Sequence, residues 1–82
     1  MKITRSMVET ETRILEADVK QHKHQIENNS IVFTHSKEGL LDFSIFVLAN
    51  LQLLSPDFTI NKDDVLFKKI AIIQKEIREL KR

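Results

Sequence analysis

Leu40-Leu41-Asp42-Phe43-Ser44-Ile45-Phe46-Val47-Leu48-Ala49-Asn50-Leu51-Gln52-Leu53-Leu54 decides how this chain folds. Of its 15 residues, 11 are apolar, and no Gly or Pro interrupts it. On a helix, Asp42, Ser44, Asn50 and Gln52 fall at roughly 0°, 200°, 80° and 280°, so the polar positions make no common face. A helix that is apolar all round is buried all round. This segment is therefore expected to form a central helix, over about 37–54, that needs covering on every side. Ser55-Pro56-Asp57 ends it, because Pro drives the residue before it out of helical geometry. Thr34 and Ser36 offer cap side chains at its start, and Gly39 is a mild weakness in its first turn.

The flanking arms are polar and balanced in charge. Residues 1–29 carry five basic and five acidic side chains, and 57–82 carry seven and five. The first arm predicts a helix over about 7–28. Ser6 and Glu9 have capping-box spacing, and Asn28-Asn29 is a stop signal. Val8, Leu15 and His22 recur every seven residues, with Val19 and Ile26 alongside and Met7 and Ile14 widening the stripe. The second arm predicts a helix over about 62–81 that starts on Asn61, with Asp63 and Asp64 near its positive dipole end. Leu66, Ile70, Ile73, Ile77 and Leu80 alternate spacings of four and three, the period of a heptad seam. The fold class is therefore all-α, three helices in a single domain over 1–82. Ile31–Phe33 and Phe58–Ile60 are extended connectors, expected to tuck apolar side chains into the core rather than pair as strands.

Composition excludes several chemistries. The 82 residues contain no Cys, so disulfide frameworks, thiolate metal sites and cysteine nucleophiles are ruled out. The formal net charge is +1, with 13 basic and 12 acidic side chains, which does not suit a strongly electrostatic nucleic-acid binder. His22 and His24 point to opposite sides of a helix and cannot chelate one ion, and His35 stands on a connector. No metal or cofactor is expected. There is no Gly-rich phosphate cradle and no nucleophile elbow, so no enzymatic activity is expected. Residues 40–54 are too short and too polar for a membrane span, which takes roughly 17–25 apolar residues. Glu9 and Glu11 stand where the apolar region of a signal peptide would begin, so a cytoplasmic location is expected.

Association remains as the main expectation. Two outer helices do not surround a central one, so a sector of the apolar helix stays open in a lone chain, and large apolar patches mark interaction sites. Self-association, most simply as a dimer, and binding to a protein partner are both expected. The expected interface residues are Phe43, Phe46, Val47, Leu51 and Leu54, with Ile70, Ile73 and Ile77 from the last helix. Phe46 is read as buried, so that Phe46→Asp would dissociate the assembly or unfold the chain. Asp42 is expected to be exposed or to meet a basic residue across an interface, with Arg13 or Lys37 as candidates. Ser44, Asn50 and Gln52 need hydrogen bonds if they are buried. The role that fits is a small accessory regulator, an adaptor or inhibitor of the antiholin or secretion-chaperone kind. The alternative is a dimeric DNA-binding regulator that uses Lys68, Lys75, Arg78 and Arg82, a basic side interrupted by Glu76 and Glu79.

Overall fold

A computed structural model describes residues 2–82, and every structural statement refers to them. Three helices follow one another: α1 (Arg5–Glu27), α2 (Lys37–Leu53) and α3 (Val65–Arg78). α2 runs antiparallel to the other two, since Asn50 near its end meets Glu11 near the start of α1. α1 and α3 run parallel: Arg5, Glu16 and Lys23 meet Asp64, Lys69 and Glu76 in order. The bundle is elongated, 45 × 25 × 17 Å.

The all-α reading holds, and two helix starts move. α1 begins on Thr4, whose side chain accepts from the Met7 amide, so the Ser6–Glu9 box is not used as a cap. α3 begins on Asp64 rather than Asn61. Asn61 instead accepts from the Asp63 amide and shapes the turn ahead of it. The Asn28-Asn29 stop is as expected. Asn29 takes the left-handed conformation (φ 54°), while the Asn29 and Ser30 amides return to the Ile26 and Gln25 carbonyls. This pattern closes a helix end and satisfies carbonyls that would otherwise be orphaned.

The core forms from one side of each helix. Leu15, Val19, Leu40, Ile73, Ile77 and Leu80 make one cluster, and Val8, Val47, Leu51, Leu66 and Ile70 make the other. Phe43 packs against both and joins them. All five residues of the α3 seam are buried, as the heptad spacing requires. His22 is buried at the end of α1, as its place in the inner stripe implies. Its Nδ1 faces the His35 backbone oxygen at 2.9 Å and its Nε2 that of Arg82 at 2.5 Å, and its ring stacks on Phe33. One imidazole thus ties α1 to the connector and to the residues after α3.

The connectors depart from expectation. Among the described residues they form no strand pair, and most of their apolar side chains do not tuck inward. Ile31 is 92% exposed, and Val32 and Phe58 are exposed as well; Phe33 and Ile60 alone are half-buried. Hydrogen bonds set the path instead. Gln25 holds Thr34 through two bonds, and Asp57 accepts from Ser55 and Thr59. A connector fixed by polar contacts at its ends need not bury its middle.

Candidate functional site

The heptad register of α1 separates its two flanks. Glu11, Asp18 and Gln25, seven residues apart, reach the α2 side, where they meet Asn50, His35 and Thr34. Arg5, Glu16 and Lys23 reach α3. Arg5 grips Asp64 through two hydrogen bonds of 2.8 and 2.9 Å, Lys69 meets Glu16 at 3.1 Å, and Lys23 meets Glu76 at 2.6 Å. The α1/α3 groove is therefore bridged by ion pairs along its length. The Arg5 guanidinium is also the main cause that holds the Asp64 carboxyl down at about 2, with the Leu66 amide adding to it against partial burial.

The outer face beside α1 and α2 is built differently. Around α1, beyond Glu11 and Asp18, lie Met7, Ile14 and Gln21, then Thr10 and Ala17. These five alternate spacings of three and four, and none is charged. Around α2, beyond Asn50, lie Phe46 and Leu53, then Asp42 and Ala49, then Ile45. Phe46 is 54% exposed, Leu53 51% and Ile14 48%, and Ile45 is also open. A broad, largely apolar face thus runs along both helices; Asp42 and Glu38 fall within its α2 part, between Leu53 and Ile45 around the helix and toward the start of α2.

The eight expected interface residues divide sharply. Val47, Leu51, Ile70, Ile73 and Ile77 are buried in the chain's own core. Phe43 and Leu54 are half-buried against it. Phe46 alone stands open, which corrects its reading as a core residue and removes the reason to expect unfolding on substitution by Asp. α2 is likewise not buried all round, because α1 and α3 cover only its Leu40, Ser44, Val47 and Leu51 side. The open face contains α1 residues that were read as part of the inner stripe, Met7 and Ile14, and others not singled out at all. Their signal was the run of uncharged positions 7, 10, 14, 17 and 21 on an otherwise charged helix.

The polar residues of α2 settle as their burial dictates. Ser44 donates to the Leu41 carbonyl and accepts from Gln74 on α3, while Asn50 donates to the Glu11 carboxylate. Gln52 is exposed and donates to the Phe58 carbonyl. Asp42 is exposed, and among the described residues it has no ion-pair partner. Lys37 donates to the Leu80 carbonyl, which withdraws it as a partner for Asp42.

Lys68, Lys75 and Arg78 point outward from α3, with exposed Val65, Ile72 and Glu79 on the same outer side. Arg82 lies apart from them, its guanidinium 5.3 Å from the Phe33 ring centre. His24 is exposed beside Glu27, and His35 faces Asp18. Among the described residues no helix is long and apolar enough to cross a membrane. No known protein family, curated protein or solved structure matches the chain.

Proposed function

We propose that the chain is a non-enzymatic protein-interaction module, a small cytosolic adaptor or inhibitor that docks a helical surface on its α1/α2 face. The observation that carries this reading is the open stripe of Ile14, Phe46, Ala49 and Leu53, flanked by Met7 and Ile45. Large apolar side chains gathered on one face are stabilised when water is removed from them, at about 25 cal/mol per Å² of apolar surface. Helical anchors at spacings of three, four and seven are the usual means of helix-in-groove recognition. The neighbouring α1/α3 groove lends contrast, because three ion pairs within the chain already bridge it.

A photo-crosslinking phenylalanine analogue at position 46 tests this in cells. A discrete adduct from position 46, with none from position 75 on the outer side of α3, is expected. No adduct from 46, or the same adducts from both positions, would remove the α1/α2 face as the docking surface.

A further inference from the structure

His22 is 1% exposed, and both of its ring nitrogens stand against backbone oxygens, Nδ1 against that of His35 and Nε2 against that of Arg82. A backbone oxygen accepts hydrogen bonds and never donates one. A neutral imidazole carries one N–H, so it satisfies one of these oxygens while its other nitrogen turns a lone pair toward the second. Only the imidazolium, with a proton on each nitrogen, donates to both. Hydrogen bonds from a charged donor are roughly twice as strong as neutral ones, which works against the cost of burying the charge.

The second ring proton depends on those two oxygens. His35, Lys37, Glu38 and Arg82 line the cleft beside His22. Lys37 donates to the Leu80 carbonyl and Arg82 lies over Phe33; both cations oppose a charged ring. Asp18, one turn earlier in α1, faces the His35 ring at 3.5 Å. Ile77 and Leu80 pack in one cluster with Val19 and Ile26, the α1 residues to either side of His22, and bring no charge. Among the described residues no carboxylate pairs with His22 itself. The two oxygens are not held alike. The connector is fixed independently, through Gln25 to Thr34 and through Asp18 to the His35 ring. Beyond the buried Leu80, Lys81 and Arg82 are exposed, so Arg82 is the freer partner.

We infer that His22 is a proton-operated clasp: doubly protonated, it holds the residues after α3 against the end of α1, and neutral, it keeps the connector and lets Arg82 go. The docked form holds one proton more than the released form, so acid favours docking and rising pH favours release. One linked proton changes the docked-to-released ratio by up to about tenfold per pH unit, within the range of about pH 5 to 8 where histidine switches charge. Release also takes the Arg82 guanidinium from Phe33 and opens the cleft that His22, Phe33 and His35 line.

Long-range nitrogen–proton NMR of the full chain tests this, because it reads each ring nitrogen as protonated or bare. NOEs from the Arg82 side chain to the Phe33 and His22 rings report the docked form in the same samples. At about pH 5 both His22 nitrogens are expected to be protonated and the NOEs present. As pH rises toward about 8, Nε2 should become bare and the NOEs fade in the same transition. NOEs that stay unchanged across this range, whatever the state of the ring, overturn the clasp. His22→Gln removes the titrating group and should abolish the pH response of Arg82, whereas His24→Gln and His35→Gln should keep it. An equal response in His22→Gln overturns the assignment to His22. The wild-type spectra decide for or against the clasp even where that variant does not fold.

Discussion

The two flanks of α1 have opposite chemistry although one helix supplies both. Toward α3, three ion pairs span the groove, with Arg5, Glu16 and Lys23 each matched. Toward the outer side of α2, Met7, Thr10, Ile14, Ala17 and Gln21 carry no charge, and the facing Phe46, Ala49 and Leu53 carry none. The first groove is complete within one chain. The second exposes large apolar side chains to water, which adds nothing to the stability of a lone chain. The difference teaches that amphipathicity in this protein has two apolar stripes rather than one: an inner stripe for the fold, and an outer stripe left open to water, which is the proposed docking surface.

That contrast can be broken from its shared base first. Leu15 is fully buried on α1 between the two flanks. Leu15→Ala is expected to cost about 2–5 kcal/mol in a urea melt, because it leaves a cavity in the core cluster. The α1/α3 side responds next. Asp64 both caps α3 and pairs with Arg5, so Asp64→Ala is expected to cost about 1–2 kcal/mol. Its pH dependence follows from the lowered carboxyl. With a folded value of about 2 against an ordinary 3.8, stability is fully present above pH 4 and is lost as pH falls from 4 to 2. Asp57, held at about 2 chiefly by the Ser55 hydroxyl, acts over the same window. Asp64→Asn should therefore make the acid limb of the stability profile shallower without abolishing it.

Smaller effects are expected where the contrast is sharpest. Phe46→Asp, on the open side, should leave the chain folded and helical by circular dichroism, because the side chain is about half exposed and makes no part of the core clusters. Lys75→Ala, on the outer side of α3, should change stability by no more than about 0.5 kcal/mol. A large loss of stability in the Phe46 variant at concentrations that favour the lone chain would place Phe46 back in the core.

Much of the fold was legible because periodicity is a local property. The seam from Leu66 to Leu80 shows itself in spacing, and all of it is buried. Helix starts were less legible, since Ser6 and Asn61 are as good at capping as Thr4 and Asp64. The Arg5–Asp64 pair spans 59 residues of sequence and helps to hold Asp64 where it caps α3, which no local pattern reveals. The open face was the hardest feature to read. In a helix apolar on all sides, spacing does not say which sector turns inward. Asn50 meeting Glu11 and Ser44 meeting Gln74 fix that rotation, and with it the outward position of Phe46. The connectors misled for a related reason: Ile31 and Val32 are apolar, but the hydrogen bonds around them decide where they lie.

Photo-crosslinking from position 46 tests the central claim most directly. The account predicts a discrete adduct from position 46 on the open α1/α2 face and none from position 75 on the outer side of α3. No adduct from position 46, or the same adducts from both positions, would contradict it.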